Sequence, residues 1–355
     1  MSGQTSAKRA GTATISDVAR AAAVSTATVS RVLNGNYPVA DSTREKVMAA
    51  VRKLRYSANA NARALASSDT HTVGVILDDV VDPTFSYIVR GVEEAVTRAD
   101  RLAIVAASRG SPEREIELIE RMRDQRTDAV IVVGGAYANE GVRRRMAAQA
   151  RALDDMGSTL VLCGRPSLGA HLPTKLVGYD NEGGAFAITE HLISLGHQRI
   201  AYVGGPTRLS TTVARVSGYR RAFEGRGLQT DETLIRLGQF GRRFGYQQLR
   251  ELIASEADFT AVFAGNDMVA VGAMDALTEA GLRVPEDISL VGYDDIPQAY
   301  DLQPKLTTVH VPLEELGRAA VRIGLPNEDF YERHEADHVT LGTHVVVRDS
   351  TGPPP

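Results

Sequence analysis

Apolar positions in the first sixty residues recur at helical spacing, then from Thr72 they gather into short unbroken runs, and that change of period divides the chain. Ile15, Val18, Ala19 and Ala22 form one stripe, and Val29, Val32 and Leu33 form another after a short break. Thr14 with Asp17 three residues later makes a capping-box start, and Ser25 is a good N-cap for the second stripe. Two short helices around a tight turn are a helix-turn-helix pattern, in which the second helix enters a DNA major groove by its N-terminal end. The DNA-facing candidates are Ser25, Thr26, Ala27, Thr28, Ser30, Arg31 and Asn34. Thr26 and Ala27 come nearest the base edges, while Thr28, Ser30 and Arg31 are placed for polar contacts. After a polar turn, Asp41 to Tyr56 reads as a third amphipathic helix with Val47, Ala50, Val51 and Leu54 on one stripe. Three such helices can bury a small core.

The later runs alternate with longer amphipathic stretches, as a parallel sheet covered by helices does. VGVIL (73–77), AIVAAS (103–108), AVIVVG (129–134) and LVLCG (160–164) read as buried strands. LVGYD (176–180), RIAYVGG (199–205), AVFAGND (261–267) and SLVGYDD (289–295) form a second series, so two α/β lobes are expected. Ligands bind where strand ends converge in such folds. Asp180, Asn266, Asp267 and Asp294 all stand at strand ends.

Charge sharpens the division. Residues 1–68 hold ten Lys or Arg against three Asp or Glu, a net of +7, which leaves −11 for the remainder. A basic head can release counterions from phosphates, whereas the acidic remainder is repelled by DNA. The single cysteine, Cys163, rules out an internal disulfide framework and suits a reducing cytoplasm. No apolar run approaches the roughly 20 residues of a membrane span, and the first residues lack a signal-peptide core. Residues 1–13 are expected to be a disordered arm and 352–355 a disordered tail.

Several segments stand together in a familiar order: DVARAAAVSTATVSRVLN (17–34), TREKV (43–47), NANARALA (59–66), GYDNEGG (178–184), HLISLGHQRIA (191–201), NDMVAVG (266–272), VPEDISLVGYDDIP (284–297) and VVRDST (346–351). From about Thr14 to Thr351 the chain resembles the lactose repressor (LacI/GalR) family of bacterial transcription regulators. The resemblance implies a small all-α helix-turn-helix head over 14–57, a hinge helix and linker over 58–70, and an α/β two-lobed periplasmic-binding-protein-like core over 71–351. Its N-lobe would comprise about 71–176 plus 298–325 and its C-lobe about 177–297 plus 326–351, with crossovers near Val177, Gln298 and Leu325. Asn59, Arg63 and Leu65 join the DNA-contacting set, Leu65 as an apolar wedge in the minor groove. Two departures stand out: Ala23 replaces the family's turn glycine, and Ala58 the proline before the hinge.

The same resemblance places Arg215 in the effector cleft, with Phe85 and Phe240 as aromatic walls beside Asp180, Asn266, Asp267 and Asp294. Gly164 stands where many relatives carry an acid, and Arg165 beside it either compensates or points away. An acid, arginine and amide set without tryptophan suits a sugar or sugar derivative, with a purine as the alternative. The implied partners are double-stranded operator DNA and a second copy of the chain, as a homodimer or a tetramer, with no membrane. A repressor of a sugar-utilisation operon, cytoplasmic and without cofactor or metal, follows. The alternative within this architecture is an effector-independent or phosphoprotein-controlled regulator.

Other signals lead elsewhere. HEADH (334–338) matches the zinc-peptidase signature H-E-x-x-H, but it lies in a charged stretch and reads better as a solvated surface segment. Gly134-Gly135 and Gly204-Gly205 lack phosphate-loop spacing and read as strand-end turns. His191 and His197 read as structural, and Cys163 as a small core residue. With no serine, histidine and acid set in view, the chain reads as a non-enzyme.

Overall fold

The computed structural model describes residues 13–34, 38–54, 56, 70–325 and 337–355. They fall into two compact units, one ending at Thr70 and one beginning at His71.

In the first unit α1 (Ile15–Ala22), α2 (Thr26–Asn34) and α3 (Asp41–Leu54) close on Val18, Val29 and Val47, all fully buried. The Asp17 N–H donates to the Thr14 hydroxyl at 3.3 Å and the Thr14 N–H to the Asp17 carboxylate at 2.9 Å, which completes the capping box. Ser25 caps α2 by accepting from the Thr28 N–H at 3.1 Å. Between the helices Ala23 is left-handed at φ 53°, ψ 45°. For an L-residue with a Cβ that conformation costs roughly 1–2 kcal/mol. The turn is closed by the Val24 N–H on the Ala19 carbonyl at 3.0 Å.

The second unit opens with β1 (Thr72–Leu77), α4 (Pro83–Arg98), β2 (Leu102–Ala107), α5 (Pro112–Asp124), β3 (Ala129–Val133), α6 (Glu140–Asp154), β4 (Thr159–Cys163) and β5 (Thr174–Tyr179). Then come α7 (Asn181–Ser194), β6 (Ile200–Val203), α8 (Ser210–Gly225), β7 (Ile235–Arg236), α9 (Arg242–Ala254), β8 (Ala261–Ala264), α10 (Asp267–Glu279), β9 (Ser289–Val291) and α11 (Pro297–Asp301). It ends with β10 (Thr308–His310), α12 (Leu313–Gly324), β11 (His338–Leu341) and β12 (His344–Val346).

The first lobe's sheet runs β11-β5-β4-β3-β1-β2 and the second lobe's β7-β6-β8-β9, parallel throughout. Strands buried on both faces need continuous apolar runs. Successive residues of β3 show why: Ile131 belongs to one buried cluster with Val92 of α4 and Leu316 of α12, while Val132 belongs to another with Ile119 of α5 and Leu153 of α6. Burying each such side chain contributes about 1.5–3 kcal/mol.

Four expectations change here. LVGYD pairs as β5 with β4, so it belongs to the first sheet. β11, expected in the C-lobe, pairs in parallel with β5 and forms the edge of that sheet. α11 and Leu306 stay packed in the second lobe's core with Leu277 and Leu290, so the return crossover falls at β10 and not near Gln298. The last crossover correspondingly shifts from Leu325 to β12, which pairs antiparallel with β10. The tail is also held at its start. The Gly352 N–H donates to the Ser289 hydroxyl at 3.0 Å, and the Gly352 carbonyl accepts from His197 Nε2 at 2.9 Å.

Candidate functional site

On α2 the capping geometry decides what faces outward. Ser25, Thr26, Ala27 and Arg31 are exposed, and Thr28 and Ser30 are half-buried. The Ser25 and Thr28 hydroxyls lie 2.9 Å apart, so both serve the cap as well as any DNA contact. Asn34 is the last residue of the helix. Asn59, Arg63 and Leu65 lie outside the described residues.

In the second unit a cleft of about 1540 Å³ opens between the strand ends of the two lobes. Arg215 projects from α8 to its floor, where it is 2% exposed, and meets Asp294 at 2.8 Å. The remaining donors of its fork reach the Asn181 side-chain amide oxygen at 2.9 Å, the Gly265 backbone carbonyl at 2.5 Å and the Tyr179 hydroxyl at 3.3 Å. Its guanidinium lies 3.7 Å from the centre of the Tyr293 ring and 6.0 Å from that of Phe240. Burial works against the Arg215 cation, but Asp294 together with the Tyr179, Tyr293 and Tyr202 hydroxyls more than offsets it, and the group stays above its ordinary value. Burial likewise pushes the Asp294 carboxyl up, and Arg215 draws it back. A guanidinium does not lose its proton in a protein, so the floor holds an ion pair.

The backbone at the floor is strained. Asp294 and Asp295 follow β9 with φ of 106° and 57°. Non-glycine residues keep such angles only where their surroundings fix them, and functional sites are where they cluster. Here the Asp294 N–H donates to the Val309 carbonyl at 2.9 Å.

Phe85, Arg215, Phe240, Asn266 and Asp294 all line this cleft. Asn266 also caps α10, its side-chain oxygen accepting from the Val269 N–H at 2.9 Å, which leaves its amide nitrogen for a ligand. Asp267 and Asp180 do not join them. Asp267 is wholly buried behind the floor, where it accepts from the Thr308 hydroxyl at 2.6 Å and the Ile296 N–H at 2.9 Å. Burial, and then the nearby Asp294, hold its carboxyl well above the usual range. Asp180 caps α7 by accepting from the Gly183 N–H at 2.7 Å and lines a separate cavity of about 390 Å³ beside Thr343 and His344. In both cases an acid between a strand and a helix serves the fold.

Arg165 points away from the floor, donating to the Gly134 carbonyl at 2.9 Å and gripping Glu115 through two bonds of 2.8 and 3.0 Å. Cys163 is buried, and burial pushes its thiol up to about 12, far from a reactive thiolate. His197 sits among Thr260, Ser289 and Gly352 as a structural group. Of HEADH, only Asp337 and His338 lie within the described residues, and both are exposed.

Sequence reasoning missed the residues that join the lobes. The Thr84 hydroxyl, in the first turn of α4, donates across the cleft to Asp294 at 3.1 Å. Nearby, the Ala136 N–H donates to the Ser210 hydroxyl at 3.0 Å and the Ser210 N–H donates to the Ala136 carbonyl at 2.9 Å. Gly135 makes this latch possible, since a Cβ there would lie 2.7 Å from the Thr211 hydroxyl and 2.9 Å from Leu209. Asp82-Pro83 was the available signal for Thr84: it marks a helix start, and a first-turn hydroxyl next to a strand end faces the cleft.

A helix-turn-helix head and a two-lobed core with a polar interlobe cleft define a DNA-binding regulator built on a binding-protein frame. Residues 14–59 match the bacterial regulatory proteins of the lacI family, and residues 189–351 match the periplasmic binding protein-like domain. The HTH-type transcriptional regulator CelR of Thermobifida fusca is 35% identical over 345 residues, covering 95% of this chain and 98% of that one. A solved transcriptional regulator CelR–cellobiose complex covers 95% of this chain and 99% of its own at 32% identity, with a TM-score of 0.67. The lac repressor dimer bound to operator and the anti-inducer ONPF covers 96% and 100% at 28% identity, with a TM-score of 0.82. The chain belongs to the LacI family: it is a helix-turn-helix transcription regulator and not an enzyme. Among the described residues no helix is long and apolar enough to cross a membrane.

Proposed function

We propose that this regulator is a cytoplasmic repressor of a sugar-utilisation operon, that it binds a near-palindromic operator as a homodimer, and that a sugar in the cleft alters its DNA affinity. The buried Arg215–Asp294 pair carries the effector reading. A donor fork and an acceptor at the bottom of a cleft, flanked by Phe85 and Phe240, offer the hydroxyls and the apolar face of a sugar ring their partners. The cellobiose complex of a relative supports the same ligand class.

β2 supports the dimer. It is the outer strand of the first sheet, yet Leu102 is 71% exposed and Ile104 and Val105 are each 40% exposed. An apolar edge strand invites pairing with another chain, and a second copy covering it brings two recognition helices to a two-fold site.

The test combines a melting screen of the full-length protein against sugars and purines with operator titrations. A sugar that raises the melting temperature should also change operator affinity by a factor that corresponds to about 1–3 kcal/mol. Leu65→Ala should abolish operator bending and leave weak, salt-sensitive binding. Stabilisation by a purine alone would sink the sugar assignment. Operator affinity unmoved by any stabilising compound favours a phosphoprotein partner.

A further inference from the structure

The size and charge of the cleft narrow the class of sugar, an argument that rests on the sugar-responsive reading. At about 1540 Å³ the cleft is larger than the pockets of about 300–1,000 Å³ that enclose drug-sized ligands, and one sugar ring is smaller than such a ligand. The extra space follows a continuous wall. Phe85 lies against Gly134, the Gly134 carbonyl receives Arg165, and Arg165 is clamped on Glu115. Beyond Glu115 the lining continues through Asp78, Ser108 and Arg109.

Charge along this wall is one-sided. The inner cations are neutralised within the protein, Arg215 by Asp294 and Arg165 by Glu115, and the exposed Arg143 is paired with Glu140, each at 2.8 Å. Asp78, Asp79 and Asp82 line the same space and enter no ion pair among the described residues. Only Arg109 and Arg208, both exposed at the rim, stand against them. Asp78 and Asp82 are held above the ordinary carboxylate range, first by burial and then by neighbouring carboxylates. An anionic ligand would meet that repulsion, whereas sugar hydroxyls donate to such acceptors.

We propose that the effector is an uncharged oligosaccharide of at least two rings, the first held by Arg215 and Asp294 and the second lying along the wall towards Ser108 and Arg109. Calorimetric titration of the full-length protein with glucose, galactose, cellobiose, maltose, lactose, glucose 6-phosphate and hypoxanthine tests it. At least one disaccharide should bind tenfold or more tightly than either monosaccharide, and glucose 6-phosphate should bind no better than glucose. Arg109→Ala removes the hydrogen-bond donors of the far wall at an exposed position and should weaken that disaccharide at least fivefold while any monosaccharide binding stays unchanged. A monosaccharide that equals the disaccharides, a preference for the phosphate, or an indifferent Arg109→Ala overturns this inference and leaves the sugar-responsive reading standing. Heat from none of the sugars, with or without heat from hypoxanthine, overturns both.

Discussion

The two walls of the cleft are built to different standards. On the C-lobe side Arg215 is held by four hydrogen-bond partners and a stacked ring, and both it and Asp294 are buried. On the N-lobe side Asp79 is exposed, and Thr84 reaches the floor through a single hydrogen bond. One wall is a densely bonded, buried anchor, and the other is a more open grip tied to it by few bonds. A family with many effectors can keep the anchor and vary the grip.

The largest effect should come from breaking the anchor. Arg215→Ala leaves the Asp294 carboxylate buried without its cation, a loss of about 3–5 kcal/mol in chemical denaturation. Thr84→Val, which removes the N-lobe bond to the same carboxylate, should cost only about 1.5–3 kcal/mol, as for a hydrogen bond to a charged group. Equal losses would mean that the walls are not different in kind.

Next in size is the effector's own interaction. Asp294→Asn keeps an oxygen for Arg215 but removes the charge, and effector affinity in titration should fall by about 1.5–3 kcal/mol, while operator binding without effector persists. An unchanged effector response would remove Asp294 from the site.

The latch comes third. Gly135→Val places a branched side chain where even a Cβ lies 2.7 Å from the Thr211 hydroxyl, and overpacking of this sort costs about 1–3 kcal/mol. The lobes relieve it by parting, so small-angle scattering should report a larger radius of gyration and effector affinity should fall. An unaltered radius with unaltered affinity would show that the Ala136–Ser210 bonds do not govern closure.

What the sequence discloses follows from how local each interaction is. Thr14 with Asp17, Ser25 with Thr28, and the strand runs are settled within a few residues, and the structure reproduces them. Asp294 and Asn266 stand at the cleft by their strand-end positions, and Arg215, Phe85 and Phe240 by the family resemblance, and all five line it. Asp267 was misplaced because its partners, Thr308 and Ile296, lie 41 and 29 residues away, so nothing near it marks it as buried. Thr84 was missed for the same reason, its partner being 210 residues distant. β11 is a four-residue strand that pairs with β5 across some 160 residues, too short to announce which sheet it joins.

The smallest effect concerns pH and the C-lobe's stiffness. His197 is enclosed by Thr260, Ser289 and Gly352, and His191 bonds to Thr351, so the two rings tie the chain's end to the second sheet. Burial lowers the affinity of both rings for a proton below the ordinary histidine value of 6.5. The unfolded chain therefore takes up protons first as the pH drops. Their contribution is complete above about pH 6.5 and is lost as the pH falls from there towards the lowered folded values. Melting temperature should thus decline on acidification through pH 6.5, before the carboxylates titrate, and His197→Gln should flatten that part of the profile while lowering its plateau. A variant whose profile keeps the parent's slope would show that His197 is not the group being protonated. The N-lobe's links across the cleft, the Thr84 hydroxyl bond and the two Ala136–Ser210 bonds, involve no histidine. Acid should accordingly loosen the anchor side first, and amide exchange compared at pH 7 and pH 5.5 should show protection falling in β9 and residues 350–352 while β1 and β3 stay protected.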